Sequence, residues 1–169
     1  MIVSRMDSTS ISLQHLRSIL RVGDVRAALI FLNGLTEHRF SALYRFDADT
    51  LTNKFFFDRE NPAVELTPDI PIMASYCVHV RSTHDTFKTP DSLHDARVED
   101  HPKRQEVRSY CGVPLCDVNG EVFGSICHFD FRPLSISDSN VQLMEAVAPL
   151  IKNLDNSANG AILRSTRSR

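Results

Sequence analysis

The sequence predicts an α+β domain: an antiparallel sheet with helices from both chain ends on one face and loops over the other. Three observations carry this. Apolar residues recur at helical spacing near both ends, at Ile11, Leu13, Leu16, Ile19 and Leu20 and again at Val141, Met144, Ala148 and Ile151. Phe40, Ala42, Tyr44 and Phe46 alternate with polar or small residues, the period of a half-buried strand. Two further apolar runs flank Asn119-Gly120, the strongest short-range hairpin signal.

In chain order, residues 1–10 are expected to be a loose start. A helix follows, capped by Ser10 or Ser12 and broken near Gly23, and a second takes Asp24 as its cap and stops near Gly34. After the Phe40–Phe46 strand, "DADTLT" reads as a turn and "KFFFD" as the start of the return strand. "ENPAVELTPDIP" carries three prolines and reads as loop, because proline lacks the donor a central strand needs. "IMASYCVHV" fits a short buried helix or a strand. A short strand at Phe87 and Lys88 precedes a long polar stretch with Asp91, Asp95 and Asp100; loops of this length in compact domains are functional or mobile. A helix capped near 137–139 closes a single domain over 11–155, and residues 156–169 are expected to be a disordered tail.

A two-residue turn at Asn119-Gly120 pairs Asp117 with Val122, Val113 with Ile126 and Cys111 with His128. Strand alternation then puts Cys111, Val113, Leu115, Ile126 and His128 on one face. Tyr110, Pro114, Cys116, Phe123, Cys127 and Phe129 fall on the other. Both faces are largely apolar, so both must be covered. The terminal helices suit one face and residues 60–105 the other. A proline-broken cover packs less densely than a helix, which leaves room for a pocket.

Composition excludes several classes. A net charge of −2 argues against bulk nucleic-acid or anionic-membrane binding. No segment approaches the roughly 20 apolar residues of a membrane span. The N-terminus is too polar for a secretory signal, so the cytoplasm is expected, where four cysteines stay reduced. His79, His84, His94, His101 and His128 lack the close spacing that fixes metal ligands on one element, and His128 opposite Cys111 reads as a satisfied core histidine. Asp91, His94, Asp95 and Arg97 are candidates for directed hydrogen bonds to a polar ligand. Equally, Asp91 and Asp95 would cap turns and Arg97 pair with one of them. Asp130 suits the corner between the last strand and the last helix.

The stretches "SYCVHV", "FKTPDSLHDARVEDHP" and "VRSYCGVPLCDVNGEVFGSICHFDFRPLSISDSNVQLME" together resemble a GAF domain of the bacterial signalling type. The matching positions are Tyr76-Cys77, then Asp91, Asp95, Arg97 and Pro102, then Gly112, Pro114 and Leu115, then Gly120, Gly124, Cys127, Asp130 and Pro133. The resemblance spans about residues 15–155. His128 stands where the family has an aliphatic residue, and Arg132-Pro133 reverses a common Pro-Arg order. No output domain follows, so a free-standing module is expected.

The resemblance implies a sheet of about six strands and a non-catalytic, small-molecule-responsive sensor that signals to a partner protein and forms a homodimer. It implies a ligand site built from Tyr76, Cys77, Asp91, His94, Asp95, Arg97, Tyr110 and Cys127, with the ligand and any cofactor unknown. Two alternatives stand beside it. One is a thiol-dependent enzyme resembling free methionine sulfoxide reductases, whose catalytic loop is not matched by the cysteine-free "DARVEDHPKRQEV". The other is an adaptor that binds protein and no small ligand. A covalent bilin on Cys77, as in phytochrome-type GAF domains, lacks the accompanying motifs.

Overall fold

Helix α1 spans Ser8–Arg21 and α2 Val25–Asn33; β1 spans Phe40–Asp47, β2 Thr50–Asp58 and β3 Ile70–Pro71. Then come α3 at Cys77–Thr83, β4 at Phe87–Thr89, β5 at Ser109–Cys116, β6 at Val122–Asp130 and α4 at Asp138–Val147. The computed structural model describes residues 7–152 and Leu154; the expected C-terminal tail and residues 1–6 of the expected loose start lie outside them. Helix α1 is capped by the Asp7 carboxylate, which accepts from Ser10 N–H at 2.7 Å, rather than by Ser10 or Ser12. Asp24 caps α2 through Ala27 N–H, and Ser137 caps α4 through Asn140 N–H.

All strand pairs are antiparallel, and the sheet runs β3-β2-β1-β6-β5-β4. The hairpin pairs Cys111 with His128 and Val113 with Ile126, as the sequence predicts. Its tip differs. A bulge at Leu115/Cys116 pairs Cys116 with Val122, and Gly120 alone takes positive φ (+79°) while its N–H donates to Asp117 C=O at 3.0 Å. This is a longer bulged turn rather than the two-residue form. Beyond the bulge Phe123 turns to the helical side instead of joining Cys127. The first hairpin is tighter than expected: "DADTLT" turns only at Ala48 and Asp49, and Thr50 onward is already strand. Ile70–Pro71, expected as loop, adds an edge strand where proline's missing donor costs nothing. The ambiguous "IMASYCVHV" is helical: a 3-10 turn at Ile72–Ala74 followed by α3.

The sheet separates two cores. Toward α1, α2 and α4 it presents Leu43, Cys111, Val113, Leu115 and Ile126, which pack on Leu16, Leu29 and Met144. Toward α3 and the loops it presents Phe40, Ala42, Tyr44, Tyr110 and Cys127, which pack on Tyr76, Cys77 and Val80. On the helical side His128 is 1% exposed, and its Nδ1 meets the Ser41 hydroxyl. Asn33 Nδ2 donates to the same Ser41 oxygen at 2.8 Å and to His38 C=O at 3.1 Å. Arg59 donates to Asn33 Oδ1 at 2.9 Å and to Thr36 C=O at 2.7 Å, completing the network. His128 is therefore a satisfied core histidine. Burial pushes its imidazole down to about 3 and that of His38 to about 4.

Candidate functional site

Strands β1 and β6 turn Phe40, Tyr44, Cys127 and Phe129 to the loop side because alternate residues face the same way. Facing them is an irregular cover. Thr67, Pro68 and Ile70 come from the segment after β2, Ala74, Ser75 and Tyr76 from the 3-10 turn and cap just before α3, and Lys103, Glu106 and Val107 from the stretch before β5. Between sheet and cover lies a cavity of about 300 Å³, within the usual range for small-molecule sites. A wider hollow of about 440 Å³ lies between the hairpin tip and the end of α4, bordered by Asp85, Asp117, Glu145 and Lys152. We place the site at the smaller one, because the tyrosines and a thiol singled out by sequence converge there.

Tyr110 projects from β5 across Gly112. A Cβ on Gly112 would lie 2.6 Å from Cζ of Tyr110, so the ring needs glycine beneath it. Its hydroxyl sits 3.1 Å from Sγ of Cys77, which also meets Ser125 Oγ at 3.3 Å. Tyr76 OH donates to Val107 C=O at 2.8 Å and ties the start of α3 to the cover. Burial pushes the phenols of Tyr44 and Tyr110 up, so both stay neutral.

Cys77 and Cys127 are both fully buried, and each shifts the other's titration. Burial works against ionisation of Cys77, but hydrogen bonds from Cys127, Ser125, Ser75 and Tyr110 outweigh it and hold its thiol below the usual range. Its bond to Cys77, together with burial, pushes Cys127 up, so Cys77 gives up its proton first. Cys127 and Tyr110 line the cavity, whereas Cys77 is fully buried behind them. On the opposite face burial pushes Cys111 up to about 12, which makes it an inert core thiol.

Of the residues singled out by sequence, Tyr76, Tyr110 and Cys127 reach the cavity, and Cys77 supports it from behind. Asp91, His94, Asp95 and Arg97 do not line it. Asp91 caps the 3-10 turn Ser92–His94, pairs with Arg108 at 2.8 Å and meets His94 Nδ1 at 2.9 Å. Asp95 caps the turn Ala96–Val98 and pairs with Arg97 at 2.7 Å. Arg97 also donates to Lys88 C=O at 2.7 Å and lies over the Phe87 ring. Hydrogen bonds from Arg108 and Arg97 hold the Asp91 and Asp95 carboxyls at about 2. These are the caps and ion pairs that the sequence offered as one of the two roles for this loop. Asp130 holds the corner, accepting from Arg39 N–H at 2.8 Å and Arg132 N–H at 2.7 Å.

Sequence reasoning missed Thr67, Pro68, Lys103, Glu106 and Val107, which sit in stretches without periodic signal. Phe40 and Tyr44 carry a signal: they share an alternation phase, and β1 brings that phase to the face of Cys127 through the pairing of Ala42 with Cys127. Among the described residues no group of three His, Cys, Asp or Glu is placed to hold a metal ion. No helix among them is long and apolar enough to cross a membrane.

No curated protein matches the sequence. Solved structures match the fold. The GAF domain of an Acinetobacter phosphoenolpyruvate-protein phosphotransferase superposes with a TM-score of 0.72 at 9% identity, over 95% of this chain and 99% of that one. Free methionine-R-sulfoxide reductase from Neisseria meningitidis, in complex with its substrate, gives 0.68 at 16% identity over 94% and 96%. The chromophore-binding domain of Stigmatella aurantiaca bacteriophytochrome gives 0.68 at 13% identity, over 85% of this chain and 58% of that one. At these identities the likeness is one of fold. The sequence also matches the GAF domain family across residues 9–153, and with the six-stranded sheet and the cavity beneath its loop cover, the chain belongs to that family.

Proposed function

We propose that this chain is a non-catalytic sensor module in the cytoplasm that binds a small molecule between sheet and cover and passes the event to its terminal helices. The observation that carries this is the cavity of about 300 Å³, walled by the two central strands and roofed by irregular chain. Direct contacts fall to Tyr76, Tyr110 and Cys127; Asp91, Asp95, Arg97 and His94 act as positioning residues that hold the cover. Transmission follows from the sheet being one residue thick. Tyr44 and Cys127 face the ligand, while their neighbours Leu43 and Ile126 face the helices. A ligand that favours one setting of β1 and β6 therefore shifts the helical side as well. The homodimer forms through the terminal helices, with Ile11 of α1 and Val22 at its C-cap exposed for the contact, and its changed surface is what a signalling partner reads. Native mass spectrometry of the purified protein, with hydrogen exchange before and after ligand removal, tests this. Retention or binding of a small molecule with protection over 61–71 and 101–108 is expected. No bound molecule and no change in exchange would sink the sensor.

The lowered thiol of Cys77 and the reductase fold likeness favour a second reading, a thiol enzyme acting on free methionine sulfoxide. Against it, Cys77 is fully buried and stabilised by hydrogen-bond donors rather than a cation. Thioredoxin-dependent reduction of free methionine sulfoxide, lost on Cys77→Ser, would establish that reading instead.

A further inference from the structure

We propose that the cavity takes an uncharged aromatic molecule of two rings, bound by stacking and shape with at most one polar substituent; this rests on the sensor reading above. Charge balance comes first. The ionic residues lining the cavity are Lys103 and Glu106, one of each sign, paired at 3.0 Å on the rim. The arginines of the same cover are committed elsewhere. Arg97 pairs with Asp95, Arg108 with Asp91, and Arg104 donates to the Ser92 and Leu93 carbonyls. An anionic ligand would be desolvated with no free cation among the described cavity residues to receive it.

Several polar atoms of the walls are also occupied. Tyr76 OH donates to Val107 C=O, Tyr110 OH meets Cys77 Sγ, and Ser75 Oγ accepts from Cys77 N–H. A sugar or nucleotide would bury several donors and acceptors with few partners, at a cost for each one left unpaired. What the walls do offer is ring surface. Phe40 stacks on Phe129 at 4.9 Å and Phe56 at 5.9 Å, with Phe131 tilted at 4.9 Å. Beside them on the sheet Tyr110, the cross-strand partner of Phe129, forms an edge-to-face pair with Tyr76 of the cover at 5.6 Å. Size sets the ring count. An apolar cavity of about 150 Å³ takes up one benzene. This one, at about 300 Å³, suits a fused or linked pair of rings.

Calorimetry and thermal unfolding with three probes test this: indole and 2-naphthol as uncharged bicyclics, and naphthalene-2-sulfonate as the same ring system with a fixed charge. Both neutral probes are expected to bind one per chain and raise the unfolding midpoint, with the sulfonate at least tenfold weaker. Ala74→Phe and Thr67→Phe each fill the cavity from the cover, and either is expected to weaken neutral binding at least tenfold while circular dichroism shows the fold intact. Equal or tighter binding of the sulfonate overturns the inference, as does neutral binding that survives in a folded filling variant. Failure of both neutral probes overturns it too, and native mass spectrometry then separates the readings. A polar or charged molecule retained by the wild type and lost from Ala74→Phe leaves the sensor standing; no retained molecule takes the sensor down with it.

Discussion

The ring of Tyr110 lies directly over the backbone of Gly112, and its hydroxyl reaches Sγ of Cys77 at 3.1 Å. One glycine thus sets the position of a cavity wall and of the hydrogen bond behind it. Gly112→Ala should push the ring aside, break the contact with Cys77 and cost about 1–3 kcal/mol, the scale of overpacking a core. Urea denaturation checks the stability and probe binding the wall. Wild-type values for both would show that the ring is not seated by that glycine.

The thiols should matter by size and hydrogen bonding. Cys77→Ala leaves the Tyr110 and Ser125 hydroxyls short of a partner and should cost about 1–3 kcal/mol, whereas Cys77→Ser should cost less. Cys127→Ala should cost about 1 kcal/mol, the scale of a small buried deletion. Cys127→Arg should fail to fold, because it buries an unpaired charge. Replacing all four cysteines in a folded variant should leave the ligand response largely intact. A response abolished by Cys77→Ser alone would point to reactivity.

Stability should fall between pH 6.5 and 4. Burial holds His38 at about 4 and His128 at about 3 in the folded state, against about 6.5 unfolded. Across that window the unfolded chain binds more protons, so the stabilisation is complete above 6.5 and is lost as pH falls toward the folded values. The loss by pH 4.5 is on the order of 2–3 kcal/mol for each of the two imidazoles. His79 and His101, also lowered by burial, add in the same direction. The carboxyls of Asp58, Asp95 and Asp130 are held low, so their contributions persist to about pH 4 and are lost only below it. Denaturant melts at pH 7.5 and 4.5 for wild type and His128→Gln check this; a variant with the wild-type slope would remove His128 as the cause.

Asp95→Ala should loosen the cover without removing a ligand contact. It deletes a turn cap and frees Arg97 from its carboxylate partner, at about 1 kcal/mol, the scale of a lost helix cap. Hydrogen exchange should quicken over 88–98, and probe binding should weaken less than in Ala74→Phe. A larger binding loss than Ala74→Phe would place Asp95 in the site itself.

What was legible in the sequence follows from which forces are periodic. Burial of one strand face writes an alternation into the chain, so β1 and the body of the β5–β6 hairpin were readable, with Cys111 and Cys127 on opposite sides. The bulge at Leu115/Cys116 was not, because Asp117 fixes that turn by accepting from the N–H groups of Asn119 and Glu121, and nothing in the apolar pattern marks it. In the cover the reverse holds. Asp91, Asp95 and Arg97 stood out as polar residues in a loop, yet their charges are spent on the loop's own turns. Thr67, Lys103 and Val107 reach the cavity only because chain folded far away leaves them there.

The strand order has a consequence for how the chain is made. Strand β1 sits beside β6 at the centre of the sheet, with Phe40 against Phe129, although more than half of the domain separates them in sequence. Closing so long a loop costs entropy before any contact repays it, so folding should be slow for the size. On the ribosome, the first hairpin can meet α2 early, but the free edge of β1 must wait unpaired until Val122–Asp130 emerges. A transcript cut short before that strand would yield chain without a central pair, a substrate for proteases and chaperones rather than a smaller version of the same domain.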